Sequence, residues 1–193
     1  MAETREKVSD FIYTTNVIPP HVCEAIIKEI APQEWRQHSW YNYNVDDYGS
    51  EPEKELDVLS TTQELQDGIA PYIMRAVQEY MLKYADQKDE RIRGFIKTFT
   101  PIRFNRYRTG TMMRKHYDHI HSIFDGQRKG IPILTILGAL NDDYEGGAFY
   151  FSDTHEVPLK AGDIMVFPSN FMYPHEVKEV TKGQRYTFVG WAF

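Results

Sequence analysis

His116-Tyr117-Asp118 is the first group of residues in this sequence whose types and spacing could hold a metal ion. Residues 111–115 before it read as a strand, in which residues i and i+2 point to the same face. The His116 imidazole and the Asp118 carboxylate should therefore project together, while Tyr117 points away. A second histidine from a distant strand would complete a two-histidine, one-carboxylate triad with three open corners. Such a site suits non-haem iron, with two corners for a chelating keto acid and one for dioxygen.

The third ligand has to be chosen among several histidines, because a lone histidine is more often a hydrogen-bonded structural residue. The candidates are His119, His121, His155 and His175. The first two are too close in sequence to Asp118 to come from a facing strand, and the third lies in a polar turn. His175 precedes an alternating segment, and Arg185 follows it ten residues later. This spacing favours His175.

Arg185 begins the last predicted strand, on which Thr187, Val189 and Trp191 share its face. We expect a final hairpin that turns at residues 181–183. The guanidinium would then lie on the order of 10 Å from the metal ligands, at about 3.3 Å per strand residue. A five-carbon diacid spans that distance, with one end chelating the metal and the other accepting a bidentate arginine pair. The alternative is an exposed strand residue, because an unpaired arginine facing inward would be costly.

The N-terminal half is predicted to contain two helices. The first follows Pro19-Pro20, and the second covers about residues 60–85, with a capping box from Ser60 and Gln63 or from Thr61 and Glu64. Gly68 and Pro71 should break or kink the second helix. Residues 35–57, rich in aromatic, Asn, Asp and Gly residues, form either a mobile lid or an ordered aromatic hairpin, and the hairpin is favoured.

The C-terminal half is predicted to contain many short strands. Residues 131–140 form a nearly continuous apolar run, which is typical of a strand covered on both faces. Further strands are predicted at residues 148–151 and 164–167. Strands at this spacing after N-terminal helices indicate a sandwich or barrel.

Composition limits the function classes. The 193 residues are 41% hydrophobic, which fits one folded domain. The formal net charge of −6 argues against nucleic acid as a partner. A local basic cluster is interpreted as a solvated strand face; it comprises Arg103, Arg106, Arg108, Arg114 and Lys115. The single cysteine, Cys23, is predicted to be buried, and the absence of an apolar span predicts a cytoplasmic protein.

From Arg106 to Phe193 the chain resembles the prolyl-4-hydroxylase-like branch of the 2-oxoglutarate/Fe(II)-dependent dioxygenases. Five ordered motifs carry the resemblance. They are Arg106-Tyr107…Gly110, His116-Tyr117-Asp118, Leu140-Asn141-Asp142…Glu145-Gly146-Gly147, Ala161-Gly162-Asp163…Phe167-Pro168-Ser169, and Pro174-His175-Glu176-Val177…Thr181-Lys182-Gly183…Arg185-Tyr186. Together they cover nearly half of the chain.

The resemblance implies a mainly β protein with N-terminal helices (α+β) and a double-stranded β-helix, or jelly-roll, core. Residues 1–93 would be a helical support region and residues 94–193 the catalytic core of the same domain. The resemblance implies Fe(II) as metal and 2-oxoglutarate and dioxygen as co-substrates, with ascorbate as a further candidate. Tyr107 would contact the distal carboxylate of 2-oxoglutarate beside Arg185. Thr135 and Trp191 match residues that line or pack near that pocket, although plain packing is an equal alternative.

Two positions depart from the family pattern. Relatives often carry a tyrosine where Met113 stands, and some carry one where Ala139 stands, so hydroxyl groups near the co-substrate are lost. The first hundred residues match the family only in helical character. Substrate recognition is therefore assigned to this N-terminal region and to residues 117–131.

The expected reaction is hydroxylation of a peptidyl proline or another amino-acid residue, with release of succinate and CO2. Peptide or protein substrates are the expected partners, with no membrane partner. The same chemistry on a small molecule or a nucleobase is the alternative, and Trp191 stands where nucleic-acid demethylases carry a second arginine. A non-catalytic jelly-roll binding protein is the rival from another class.

Overall fold

The computed structural model describes residues 7–42, 47–49, 54–60, 62–90, 94–118 and 131–193. The helical elements are a 3-10 turn (Val8–Phe11), α1 (Pro20–Ile30) and α2 (Gln63–Tyr84). The strands are β1 (Tyr13–Asn16), β2 (Arg36–Gln37), β3 (Trp40–Asn42), β4 (Asp47–Gly49), β5 (Asp57–Ser60), β6 (Arg103–Arg108), β7 (Met113–His116), β8 (Leu134–Ala139), β9 (Glu145–Gly146), β10 (Phe149–Phe151), β11 (His155–Val157), β12 (Asp163–Pro168), β13 (His175–Val177), β14 (Val180–Lys182) and β15 (Gln184–Ala192).

The major sheet has seven antiparallel strands in the order β1-β12-β8-β15-β6-β5-β2. All residues of the central strand β8 are buried, as the apolar run predicts. Strands β1, β2 and β5 come from the region before residue 94, where the sequence indicated only helices and irregular structure. That region is therefore not purely helical, and the division into residues 1–93 and 94–193 stays a prediction.

The minor sheet has four antiparallel strands in the order β11-β10-β13-β7. The final hairpin predicted from the sequence is wrong. Strand β14 pairs with β9, and after Gly183 the chain enters β15, which lies between β6 and β8 in the major sheet. Strands β3 and β4 pair as an antiparallel ladder within residues 35–57. The connection between them lies outside the described residues, so the choice between hairpin and lid stays open.

Alternation along the strands of the major sheet separates two packed layers. Side chains on the outer face, such as Phe104, Ile136 and Phe188, join a core with both helices. Side chains on the inner face, such as Tyr107 and Leu137, pack toward residues of the minor sheet such as Phe149. Strands β6, β8 and β12 thus each contribute to a helix-covered layer and to a layer between the sheets.

The helices bury one apolar side each. In α1 the buried residues include Cys23, which is free and whose pKa burial raises to about 11, so its predicted packing role is confirmed. The N-cap of helix α2 is Thr62, two residues after Ser60 and one after Thr61, because the Thr62 hydroxyl accepts a hydrogen bond from the Leu65 N–H at 3.4 Å. The predicted break is absent: Pro71 lies on the exposed side of α2, where water can satisfy the carbonyl that loses its partner.

One close approach stabilises the outer layer. Gly138 on β8 lies directly opposite Phe188 on β15. A Cβ at residue 138 would lie 2.1 Å from the Phe188 ring, so this ring occupies the space that any other side chain would need. Within the part of the chain described here, no helix is long and apolar enough to cross a membrane.

Candidate metal and co-substrate site

The two candidate histidine ligands lie on neighbouring strands of the minor sheet. His175 at the start of β13 is the direct partner of His116 at the end of β7. Their ring centroids are 4.3 Å apart. The pairing register brings together two residues that are far apart in sequence, because directly opposite side chains of an antiparallel pair share one face of the sheet.

Backbone carbonyls fix the orientation of both imidazoles. The Nδ1 of His116 lies 2.7 Å from the Arg114 carbonyl oxygen, and the Nδ1 of His175 lies 3.0 Å from the Tyr173 carbonyl oxygen. A carbonyl accepts only from a protonated nitrogen, so each ring carries its proton on Nδ1. Each Nε2 is left with a free lone pair, which is the form that binds a metal.

Asp118 completes the group. Its Oδ1 lies 3.8 Å from His116 Nε2 and 4.0 Å from His175 Nε2. Its other oxygen, Oδ2, accepts a hydrogen bond from the Thr135 hydroxyl at 2.7 Å. Burial alone raises the pKa of Asp118, but the two imidazoles and the Thr135 hydroxyl outweigh it, and the pKa lies below its usual value. The group is therefore a carboxylate at neutral pH.

The three side chains fit one metal ion. Their ligand atoms all lie within 4.8 Å of one another. A metal ion lies about 2.1 Å from each ligand atom, so it can bind two atoms that are up to about 4.2 Å apart. The distance from Asp118 Oδ1 to the Nε2 of each histidine is within this limit. Burial, and then the neighbouring His175, lower the pKa of His116 to about 4, so the proton does not compete with a metal near neutral pH. One carboxylate and two imidazoles match the donor set of non-haem iron.

Arg185 is buried on the inner face of β15, opposite Tyr107 on β6. Its Nε donates to the Tyr144 hydroxyl at 3.2 Å, and its guanidinium lies 4.9 Å from the centre of the Tyr107 ring. One terminal nitrogen, NH1, is buried and has no hydrogen-bond partner among the residues that the structure describes. A buried donor without a partner is costly. The carboxylate of a bound diacid would supply the missing acceptor.

The surroundings of Arg185 were predicted only in part. Tyr107 is buried beside it, and burial raises the pKa of the Tyr107 phenol although Arg185 lowers it, so the hydroxyl keeps its proton as a donor. Tyr144 was missed, and its position directly before the Glu145-Gly146-Gly147 motif was the available signal. A Cβ at Gly147 would lie 3.1 Å from the Arg185 side chain, so a small residue is needed there.

Thr135 and Trp191 lie opposite each other on β8 and β15 and line the cavity that holds the ligand group. Thr135 contacts Asp118, so the contact that the structure shows is with a candidate metal ligand. The indole N–H of Trp191 is buried, lies outside hydrogen-bond geometry to other groups, and contributes to lowering the pKa of Asp118. Met113 also lines the cavity, whereas Ala139 is fully buried at the end of β8.

A polar cluster from the N-terminal region lies against His116 and was not predicted. Glu55, which is 2% exposed, accepts hydrogen bonds of 2.8 Å from Trp40 Nε1 and from an Arg114 terminal nitrogen. The Trp40 ring lies edge-on to His116, with centroids 5.3 Å apart, and also to His38, at 4.8 Å. Burial and then the nearby Arg103 lower the pKa of His38 to about 4. No local sequence pattern predicts that His38, Trp40 and Glu55 form this wall.

The interpretation of the basic cluster as a solvated face is confirmed for Arg108, Arg114 and Lys115, whose side chains are 43%, 48% and 42% exposed, and is wrong for Arg103 and Arg106. Arg106 and Arg108 both form ion pairs with Asp57, at 2.9 and 2.8 Å. Arg114 pairs with Glu55, and Arg103 lines the ligand cavity. The sequence did not reveal this, because the partners Glu55 and Asp57 lie about fifty residues away.

The remaining candidate histidines do not join the group in the described part of the chain. His155 is exposed at the start of β11, opposite Phe151, rather than in a turn. His119 and His121 lie outside the described residues, as does most of the 117–131 segment to which substrate recognition was assigned.

The C-terminal half of the chain is similar to a known protein family. Residues 102–193 match the family described as the 2OG-Fe(II) oxygenase superfamily. A PKHD-type hydroxylase of Stenotrophomonas maltophilia (strain R551-3) is 38% identical over 98 residues, which are 48% of this chain and 43% of that relative. The chain therefore spans less than half the length of the curated relatives it matches.

Solved structures of this superfamily share the fold. A Pseudomonas putida prolyl-4-hydroxylase matches with a TM-score of 0.65 at 18% identity, covering 96% of each chain. A prolyl hydroxylase from Trichoplax adhaerens, in complex with a peptide fragment of a hypoxia inducible factor oxygen degradation domain, matches with a TM-score of 0.67 at 14% identity. That match covers 96% of this chain and 84% of the other. The predicted jelly-roll core is thus confirmed.

Proposed function

We propose that this protein is an Fe(II)- and 2-oxoglutarate-dependent oxygenase that hydroxylates an amino-acid residue of a peptide, with peptidyl proline as the first candidate. The observation that carries the proposal is the convergence of His116, Asp118 and His175 in one cavity with the buried, incompletely bonded Arg185. A structural metal site would need neither the open coordination corners nor a buried arginine with a missing acceptor.

In this proposal His116, Asp118 and His175 hold Fe(II), while Arg185, Tyr107 and Tyr144 surround the distal carboxylate of 2-oxoglutarate. When bound, the iron supplies the activation of dioxygen, which no side chain of the chain can provide. The protein's contribution is positioning. The Arg114 and Tyr173 carbonyls fix the imidazoles, and Thr135 holds Oδ2 of Asp118 so that Oδ1 faces both Nε2 atoms.

The cavity walls limit access of water to the reacting groups. Leu137, Phe149 and Val177 line the space around the ligands, and each of them is at most 5% exposed. An apolar wall strengthens the electrostatic interactions inside it. It also favours a substrate that brings an apolar side chain to the metal.

A peptide substrate is supported by exposed apolar residues next to the ligands in sequence. Tyr117 is 51% exposed between His116 and Asp118, and Phe171 and Met172, just before His175, are 75% and 49% exposed. Large exposed apolar side chains beside a cavity are typical of a binding surface. The Trichoplax relative was solved with a peptide fragment, which supports the same substrate class.

The test is metal- and co-substrate-dependent succinate formation. Anaerobic addition of Fe(II) and 2-oxoglutarate should give a weak visible charge-transfer absorption, and admitting air should then yield succinate, slowly without peptide and faster with proline-containing peptides. Free amino acids and methylated oligonucleotides are the comparison substrates. Absence of both the absorption and the succinate from folded, iron-loaded protein would leave a binding function instead.

A further inference from the structure

A second arginine faces the metal cavity from the same strand as Tyr107. Arg103, Asn105 and Tyr107 alternate along β6 and all line the cavity, whereas Phe104 between them is buried in the outer core. Arg103 lies opposite Val189 of β15, which also lines the cavity. Its position is thus fixed by the pleat of a central strand.

The bonding of Arg103 is incomplete. Its Nε donates to Asn105 Oδ1 at 3.1 Å, and its guanidinium carbon lies 6.0 Å from the centre of the Trp191 ring. Among the described residues, the two terminal nitrogens have no hydrogen-bond partner and no carboxylate lies within ion-pair distance. Arg106, Arg108 and Arg114, by contrast, all have a carboxylate partner.

The charges of the cavity leave Arg103 without a counterion. Among the described residues, Asp118 is the carboxylate that raises the pKa of Arg103 against the effect of burial, and a bound metal would take up that carboxylate. With Fe(II) and the 2-oxoglutarate dianion bound, their charges cancel, Arg185 balances Asp118, and the charge of Arg103 is in excess. Arg103 is half-buried, and a cation partly removed from water is stabilised by a counterion.

We propose that Arg103 binds a carboxylate group of the substrate, beside the metal and separate from the Arg185 site. The proposal rests on the proposed function and narrows it: the preferred peptide carries a carboxylate close to the carbon that is oxidised, as an acidic residue or a C-terminal residue does. The planar guanidinium fork suits a carboxylate better than it suits a neutral carbonyl.

The carboxylate that Arg103 binds could also be the one by which 2-oxoglutarate chelates the metal. The experiment therefore distinguishes a substrate carboxylate from this co-substrate carboxylate. Full-length protein is loaded with Zn(II) and N-oxalylglycine, an unreactive analogue of 2-oxoglutarate. Acetate and acetamide, which differ in charge but hardly in size, are the probes. The readout is the NMR signal of the Trp191 indole N–H, assigned by its loss in Trp191→Phe.

Acetate should shift this signal saturably in the loaded protein, and acetamide should not. In Arg103→Met the half-saturating acetate concentration should rise at least about tenfold, whereas Arg103→Lys, which keeps the charge but not the fork, should lie between. Arg75→Met removes a charge from the exposed side of α2 and should match the original protein. The affinity for N-oxalylglycine should stay within about threefold in all variants.

Other outcomes overturn the proposal. If Arg103→Met weakens N-oxalylglycine about tenfold or more and acetate shows no saturable effect, the carboxylate belongs to the co-substrate. If acetate and acetamide behave alike, Arg103 does not select charge. If the original folded protein fails to bind Zn(II) and N-oxalylglycine, the proposed function itself fails, which the binding measurement without acetate reveals separately.

Discussion

On β8, Ile136 points outward into the core that the sheet shares with the helices, whereas its neighbours Thr135 and Leu137 point inward to the ligand cavity. The same contrast holds on β15, where Phe188 lies outside and Arg185 inside. The outer face is apolar and closely packed, while the inner face carries buried polar groups, some without partners. One set of strands therefore supports stability on one face and chemistry on the other. Substitutions of adjacent residues should separate the two.

The largest effect is expected for Asp118→Ala on the inner face. Loss of a partner that only orients a ligand reduces metal affinity or activity by about 10–100-fold, so loss of the ligand itself should reduce succinate formation by more than about a hundredfold. Circular dichroism should show an intact fold, because no outer-face packing changes. Substantial activity in this variant would refute the assignment of Asp118 as a ligand.

The matching change on the outer face is Phe188→Ala. It should lower the free energy of unfolding by about 3–5 kcal/mol, because it leaves a cavity against Gly138 and Phe104. The affinity for 2-oxoglutarate should be unchanged at temperatures where the variant is folded. Urea denaturation and co-substrate titration measure the two quantities. Phe171→Ala is the control, because that ring is 75% exposed.

Acidic pH should lower the stability of the protein through the two histidines near the ligand cavity, His38 and His116. The pKa values of His38 and His116 are lowered to about 4, so between the ordinary histidine pKa and that value the unfolded chain binds more protons than the folded one. After the metal is removed with a chelator, the free energy of unfolding should be highest above about pH 6.5. It should fall toward pH 4 by up to about 3 kcal/mol per histidine. The urea midpoint at several pH values measures this.

His38→Gln provides the control for the pH effect. It removes one titrating group. The slope of the free energy of unfolding against pH, between about pH 6.5 and 4, should therefore decrease by the equivalent of up to one bound proton. Phe188→Leu on the outer face should shift the whole curve without changing its slope. A midpoint that does not vary over this pH range would show that neither imidazole is held in its neutral form.

The smallest effect is expected for Thr135→Val, which removes the hydroxyl that holds Asp118 and keeps the shape of the side chain. Succinate formation should fall by about 10–100-fold, and the apparent affinity for Fe(II) should weaken in parallel. Ile136→Val on the same strand should instead lower stability by about 1 kcal/mol and leave activity unchanged. If both variants lose only stability, Thr135 has a packing role.

The parts of the site that were predictable follow from local rules. The two-residue period of strands placed His116 with Asp118, and Arg185 with Trp191, on common faces. The continuous apolar run identified β8. These rules fail where the partner is distant. The final hairpin was wrong because local alternation does not say which strand pairs with which, and β15 passes to the other sheet.

The N-terminal contributions could not be predicted for the same reason. The pairing of β1 with β12 joins residues about 150 positions apart, and neither strand has a sequence signal that indicates the other. Glu55 was also missed, because an isolated glutamate in a polar stretch is indistinguishable from a solvated one until Trp40 and Arg114 close around it. The parts that escaped prediction are therefore those that long-range packing creates.

After Gly183 the chain leaves the two-stranded ladder of β14 with β9 and enters the major sheet, and this route has a consequence for the length of the bound molecule. His175 lies on one sheet and Arg185 on the other, and stacked sheets keep a separation of about 10 Å that side-chain adjustments hardly change. A keto diacid one methylene shorter than 2-oxoglutarate would fall short of the guanidinium when chelated, and one methylene longer would have to buckle. If Arg185 binds the distal carboxylate as proposed, discrimination among homologous keto acids would follow from the distance between the two sheets.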